Sequence, residues 1–177
     1  ANSGSSHGVS IVDDRSQLEA ALESAFSIDQ LVLWESYVRG VELTCAVFGE
    51  ATDPELTVFP LVEIVPKARF FDLASKYDDG GAQEIVPARV PASVADDLGR
   101  MSRRLHRLMG ASGMTRTDAI LGPDGLVLLE TNTIPGLTPA SLYPKAAAGA
   151  GVDFKALVAL IAGAGRRARR FGRRTDV

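Results

Sequence analysis

The stretch from Arg116 to Ser141 constrains the fold more than any other. An apolar run after Asp118 is followed by Pro123-Asp124-Gly125 and a second apolar run, Leu126 to Leu129. A Pro-Asp-Gly turn between two apolar runs predicts a β-hairpin. A hairpin brings the start of its first strand beside the end of its second, so Asp118 comes close to Glu130 and Asn132. Three oxygen-bearing side chains facing one point suit Mg²⁺ (or Mn²⁺), a hard cation that keeps its other positions for water and phosphate oxygens. Arg116, two residues before Asp118, can share its strand face. It would then reach charge developing beside the metal.

Three such residues alone are more often the solvated ends of an ordinary hairpin. The continuation Asn132-Thr133-Ile134-Pro135-Gly136-Leu137-Thr138 shifts the balance, because it sets backbone N–H groups and small hydroxyls directly after the expected ligands. Such loops cradle anions. The pattern points to phosphoryl transfer or acyl-phosphate chemistry.

The flanking chain reads as mixed helix and strand. Ser16-x-x-Glu19 is a capping box, opening an amphipathic helix with Leu18, Ala21, Leu22, Ala25 and Phe26 on one face. Strands are expected over Leu31–Trp34 and Val41–Gly49, and a strand-like run over Leu56–Val65 ends at Pro66. The stretch from Pro66 to Pro87 lacks regular periodicity, and loops of that length inside compact domains tend to be functional lids. A long helix is expected over Pro91–Gly110. Val94, Leu98, Met101, Leu105 and Leu108 point inward in it, Arg100, Arg103, Arg104 and Arg107 outward, and His106 has no identifiable role. Pro139–Gly149 predicts a short helix. Asp153 can cap the last helix, whose expected buried stripe is Phe154, Leu157, Val158 and Ile161.

Composition limits the classes. With 46% hydrophobic and 23% charged residues the chain can bury a sizeable core, so it is globular rather than disordered. One cysteine, Cys45, excludes an internal disulfide and, lying in an apolar strand pattern, is expected to be a buried core thiol. No signal peptide or bilayer-length apolar run is recognisable, so no membrane is expected and the cytoplasm is the expected compartment. Net charge is −3, yet the last dozen residues hold six arginines, Arg166, Arg167, Arg169, Arg170, Arg173 and Arg174. A solvated basic terminus is the expectation, and no nucleic acid partner. The sequence has no initiating Met and opens in a small, polar, glycine-bearing stretch, Ser3-Gly4-Ser5-Ser6-His7-Gly8. A fragment of a longer enzyme is therefore expected.

The segment from Gly113 to Ala147, with "SGSSHGVS", "VLWESYVRGVEL" and "FFDLASKY" upstream, resembles the carboxy-terminal portion of the D-alanine–D-alanine ligases of the ATP-grasp superfamily. Four motifs in order make the resemblance specific, and it reaches across nearly the whole chain. It implies an α+β fold, a mainly antiparallel sheet flanked by helices. Residues 1–30 would be a remnant of the central ATP-grasp subdomain, 31–165 the carboxy-terminal domain with a flap at about 66–87, and 166–177 the basic tail. It implies ligation of two D-alanines through an acyl phosphate, with ATP and Mg²⁺, for peptidoglycan precursor synthesis. A homodimer is the assembly it allows for the full-length enzyme.

The resemblance also implies roles. Ser5 of the glycine-rich loop would help hold the first D-alanine. Backbone groups of Ser36, Tyr37 and Val38 would read the adenine edge, Glu35 would lie beside its exocyclic amine, and Glu42 would hold the ribose hydroxyls. Lys76 would meet the γ-phosphate, and Tyr77 would bond to the loop serine and close the site. Tyr77 also favours a dipeptide product, since family members with Phe there tend to make depsipeptides. Asp118, Glu130 and Asn132 would hold metal, Arg116 and the Gly136 N–H would stabilise the oxyanion, and Ser141 would bind the second amino acid's carboxylate. The lysines that clamp the α- and β-phosphates, and a Glu for the first substrate, lie upstream of this segment in the family. The chain alone is expected to bind ATP weakly and not to turn over. Two alternatives are another ATP-grasp carboxylate–amine ligase and a non-catalytic nucleotide-binding module.

Overall fold

The computed structural model describes the backbone of residues 6–66 and 82–171, and side chains within these up to residue 166. The chain forms two compact units, Ala1–Val38 with Pro66–Gln83, and Arg39–Val65 with Glu84–Val177. Ser5, Lys76, Tyr77 and most of the expected flap lie outside the described residues.

In the first unit the helix start differs from expectation. Asp14, not Ser16, is the cap: its Oδ1 accepts from the Ser16 amide at 2.8 Å and from Ser16 Oγ at 2.6 Å. Gln17 Oε1 returns the bond by accepting from the Asp14 amide at 3.3 Å. The two Ser16 bonds hold the Asp14 carboxyl below its ordinary value, and the Gln17 bond completes a capping box around a single 3₁₀ turn, Arg15–Gln17. Helix α1 (Leu18–Phe26) follows, with Leu18, Ala21, Leu22 and Ala25 half-buried on one face and Phe26 exposed. The strand expected over Leu31–Trp34 does not form. The Leu31 amide donates to Asp29 Oδ1 at 3.0 Å instead of to a ladder, and Leu31, Leu33 and Trp34 are exposed.

The second unit is built on β1 (Val41–Glu50), whose middle is covered on both faces and reads accordingly as an apolar, β-branched run. On one side β1 pairs with β2 (Thr57–Val58) and β3 (Val62–Pro66); on the other it pairs over its whole length with β5 (Ser112–Gly122). The expected strand at Leu56–Val65 is thus two short ones, broken around Pro60, which lacks the amide a ladder needs. Strand β4 (Ala82–Ile85) falls inside the stretch expected to be irregular. Strand β6 (Gly125–Asn132) completes the hairpin with β5 around Pro123-Asp124. Gly125, at φ 119°, takes the backbone angle that suits glycine. Among the described residues the sheet has six strands in the order β4-β3-β1-β5-β6, with β2 beside β1. The expected α+β fold, an antiparallel sheet flanked by helices, is what the chain adopts.

Strand alternation sends odd and even residues of β1 to opposite faces. Leu43, Cys45 and Val47 pack with Leu98 of α2 (Ala92–Leu108). Ala46 and Phe48 pack with Tyr143, Ala146 and Ala147 of α3 (Leu142–Gly149) and Leu157 and Ala164 of α4 (Phe154–Phe171). Tyr143 ties α3 down: its hydroxyl donates to the Val47 carbonyl at 2.8 Å, and its ring meets Phe59 edge-on at 5.8 Å.

Helix α2 sets Val94 and Leu98 against the core as expected, but its buried line then runs through Ser102 and His106 rather than on to Leu108. Leu98, Ser102 and His106 are fully buried, while Leu108 is 72% exposed. At 3.6 residues per turn Leu108 lies about 120° round the helix from that line. His106 has two partners, Thr115 Oγ1 at 2.8 Å from Nδ1 and the Gly49 carbonyl at 3.1 Å from Nε2. A carbonyl only accepts, so Nε2 carries the proton and Nδ1 accepts from the threonine. Asp153 caps α4 as expected, accepting from the Ala156 amide at 2.7 Å. The stripe of α4 runs through Leu157, Ile161 and Ala164, whereas Phe154 and Val158 are exposed. Among the described residues no single helix is long and apolar enough to cross a membrane.

Candidate active site

The β1 face that meets α3 and α4 at Ala46 and Phe48 turns polar toward its other end, at Thr44 and Glu42. Strand β5 changes in the same direction: Met114 packs on the helix-covered core, and Arg116 and Asp118 follow on the same face. Register makes the stripe continuous across three strands, with Thr44 opposite Asp118, Asp118 opposite Glu130, and Arg116 opposite Asn132. A bulge between Asp118 and Ala119 shifts the ladder at this point, a common device beside functional sites for re-aiming a side chain.

Asp118 is the hub. Arg116 grips it with two parallel bonds, Nε to Oδ1 at 2.8 Å and Nη2 to Oδ2 at 2.6 Å. Thr44 Oγ1 donates to Oδ1 at 2.6 Å. The Asn132 amide donates to Glu130 Oε1 at 3.0 Å and lies 3.4 Å from Asp118 Oδ2. Arg116 and Asp118 are only 18% and 16% exposed. Burial works against the charged guanidinium, but the bonds and charge of Asp118, with Glu130 and Glu42 adding charge, outweigh it and hold Arg116 above its ordinary value. The hairpin therefore brings together Arg116, Asp118, Glu130 and Asn132.

The donor chemistry fits Mg²⁺: two carboxylates and a carboxamide whose nitrogen is turned to the carboxylates, leaving its carbonyl oxygen as the ligating atom. Among the described residues no three His, Cys, Asp or Glu side chains cluster; with two carboxylates and an amide, the set would leave a cation's other positions to water and phosphate oxygens.

Gly136 and Ser141 form a second cluster. Ser141 Oγ accepts from the Thr138 amide at 3.1 Å and lies 2.9 Å from Thr138 Oγ1. A Cβ at Gly136 would stand 2.9 Å from that same Oγ. Ser141 is the N-cap residue of α3, yet its side chain makes no capping bond to the helix, so the first-turn amides of Leu142 and Tyr143, which precede Pro144, can face an anion. Among the described residues no hydrogen bond joins this cluster to the Asp118 group. Glu42 lies half-buried on β1 opposite Ile64 and Ile120. Glu35, Ser36 and Tyr37 are exposed in the irregular segment that ends at Val38, within the other unit.

Thr44 was not singled out from sequence, although a hydroxyl inside an apolar strand, two residues after Glu42, is a usable signal. The ion pair between Lys145 of α3 and Glu84 of β4 was also not foreseen.

An antiparallel sheet with helices on both faces and a carboxylate, amide and guanidinium stripe along one hairpin defines the carboxy-terminal part of an ATP-grasp ligase. A family model described as "D-ala D-ala ligase C-terminus" matches residues 1–162, and the chain belongs to that family. It is 43% identical over 157 residues to a D-alanine–D-alanine ligase of Syntrophobacter fumaroxidans, covering 88% of this chain and 50% of that protein. A D-alanine–D-alanine ligase of Nitratidesulfovibrio vulgaris gives the same identity and coverage. Among solved structures it resembles the Bacillus anthracis D-alanine–D-alanine ligase complexed with ATP, with TM-score 0.75, 32% identity and coverage of 92% and 52% of the two chains. The VanG D-Ala:D-Ser ligase of Enterococcus faecalis gives 0.77, 35%, 90% and 46%. The chain spans about half the length of the curated relatives it matches.

Proposed function

We propose that this chain supplies the metal-nucleotide and acyl-transfer half of an ATP-dependent D-alanine–D-alanine ligase that makes a cell-wall precursor in the cytoplasm. The observation that carries this is the convergence of Arg116, Asp118, Glu130 and Asn132 from the two strands of one hairpin. In the first step a carboxylate oxygen of one D-alanine attacks the γ-phosphorus of ATP, and ADP leaves. In the second the amine of another D-alanine attacks the acyl carbon, loses a proton and expels inorganic phosphate.

Triphosphate, carboxylate and a developing oxyanion crowd negative charge into one pocket. Mg²⁺ held by Asp118, Glu130 and Asn132 would neutralise phosphate charge there. Arg116, fixed by its bidentate pair and partly shielded from water, donates toward the reacting phosphoryl and acyl oxygens. The Gly136 N–H adds a second donor to the oxyanion; one donor of this kind contributes on the order of 2.7–4 kcal/mol. Ser141 and the uncapped amides of α3 receive the carboxylate of the second amino acid. Glu42 accepts from the ribose hydroxyls, and the segment Glu35-Ser36-Tyr37-Val38 takes adenine. Ser5, Lys76 and Tyr77 are assigned to the first substrate, the γ-phosphate and closure of the site.

The test uses the enzyme of full family length that carries this chain. Asp118→Asn and Glu130→Gln should each lower D-alanine-dependent ADP release at least about 100-fold, the scale for losing one preorganised electrostatic group. Full activity in either variant would favour a non-catalytic nucleotide-binding module. The likeness to a D-Ala:D-Ser ligase supports a second possibility for the acceptor. Competition between D-alanine and D-serine as second substrate separates the two.

A further inference from the structure

A hydroxyl in the middle of a packed strand needs a reason. Thr44 is 1% exposed, and valine has almost the same shape without the desolvation cost of an O–H. The hydroxyl has one short acceptor, Asp118 Oδ1 at 2.6 Å; the Thr117 carbonyl, at 3.4 Å, is a distant second. One proton can be given once, and distance assigns it to the carboxylate. Register fixes the geometry from below, because Thr44 and Asp118 are directly opposed on β1 and β5. The β-branched side chain holds a narrow set of χ1 positions, so its oxygen stays where the backbone puts it.

We propose that Thr44 is a positioning residue: its hydroxyl fixes the rotation of the Asp118 carboxylate so that Asp118 can ligate the divalent cation of the bound nucleotide. Arg116 also grips Asp118, through Nε and Nη2, but its remaining N–H groups are assigned to phosphoryl and acyl oxygens, so the guanidinium answers to a second anion once the site is loaded. Thr44 is buried, uncharged and on a different strand, so it keeps its bond whichever anion the guanidinium faces. Partners of this kind around a ligating group are worth about 10–100-fold in metal affinity.

The proposal rests on Asp118 being a metal ligand, and its test separates the two. In the full-family-length enzyme carrying this chain, Mn²⁺ binding is measured by electron paramagnetic resonance in the presence of a non-hydrolysable ATP analogue. Wild type is compared with Thr44→Val, Thr44→Ser and Asp118→Asn, with thermal unfolding recorded for each. Thr44→Val should weaken Mn²⁺ binding about 10-fold or more, and Thr44→Ser, which keeps the oxygen, should return it to within a few-fold of wild type. The melting temperatures should not follow that order. If Thr44→Val binds Mn²⁺ like wild type while Asp118→Asn does not, Asp118 is a ligand and Thr44 does not position it. If Thr44→Val and Thr44→Ser are equally weak, packing is the cause and the proposal fails. If Asp118→Asn binds as well as wild type, the ligand assignment fails and takes this proposal with it.

Discussion

At the residue scale the chain shows how a buried polar atom reports its purpose through its partner. The hydroxyl of Thr44 points to Asp118 and those of Thr115 and Thr117 to His106 and Thr131, so each of these threonines is satisfied in the interior. His106 carries the clearest consequence. Burial pulls its ring below the ordinary imidazole value, against the upward pull of the Gly49 carbonyl and the Glu50 charge; the Arg107 charge lowers it further, and the Ala111 backbone raises it. Above about pH 6.5 the ring is neutral in both folded and unfolded chains. Below that, the unfolded chain binds a proton that the folded chain refuses until its own lower value is reached, so stability falls as pH drops through this window. Thermal unfolding between about pH 7.5 and 5 should show a steeper loss for wild type than for His106→Gln. Parallel curves would mean the ring is not held neutral.

Single residues also mark where sequence signals stop. Periodicity placed Leu108 inward and left His106 without a role, because an apolar pattern counts side chains and cannot see an O–H or carbonyl arriving from another strand. Asp14 and Ser16 are both good cap residues two positions apart, and only the fold chooses between them.

At the element scale the hairpin is the part most legible beforehand. Pro123-Asp124-Gly125 fixes the turn, the turn fixes the register, and the register sets Asp118 against Glu130. The loop from Thr133 to Ser141 is a second unit with its own constraint. Gly136→Ala would put a methyl group 2.9 Å from Ser141 Oγ, pushing apart the donors assigned to the oxyanion and the second carboxylate. That variant should raise KM for the acceptor amino acid and lower kcat, with melting temperature little changed; unaltered kinetics would remove both residues from the site.

A separate clamp holds the chain after β4. Glu63, nearly buried on β3, accepts from Arg89 Nε at 3.0 Å, Nη2 at 2.7 Å and its amide at 3.0 Å. The Arg89 bonds hold its carboxyl below the ordinary value, despite burial acting the other way. Arg89→Ala leaves that carboxylate short of two donors and should cost about 1–3 kcal/mol in urea unfolding. A change under about 0.5 kcal/mol would show that the mostly exposed arginine adds little beyond its backbone amide. The strand expected at Leu31–Trp34 was misread for an element-scale reason: a short apolar run fits strand chemistry, but a strand exists only where a neighbour completes its ladder.

At the scale of the whole molecule, membership of the D-Ala–D-Ala ligase carboxy-terminal family and the antiparallel α+β architecture were both readable from motif order and alternation. The face on which the site lies was not, because it depends on which side of β1 each helix covers. Alternation then places a polar stripe at one end of the same face that α3 and α4 bury at the other, so the core anchors the strands that carry the site. The central claim is that this stripe holds a metal-bound nucleotide. Its most direct test is the amide NMR spectrum of the isotope-labelled enzyme of full family length that carries this chain, during addition of Mn²⁺ with a non-hydrolysable ATP analogue. Paramagnetic broadening should strike Arg116, Thr117, Asp118, Glu130 and Asn132 first and spare the amides of α2 on the opposite face. Broadening that begins elsewhere, or that spreads evenly over the chain, would contradict it.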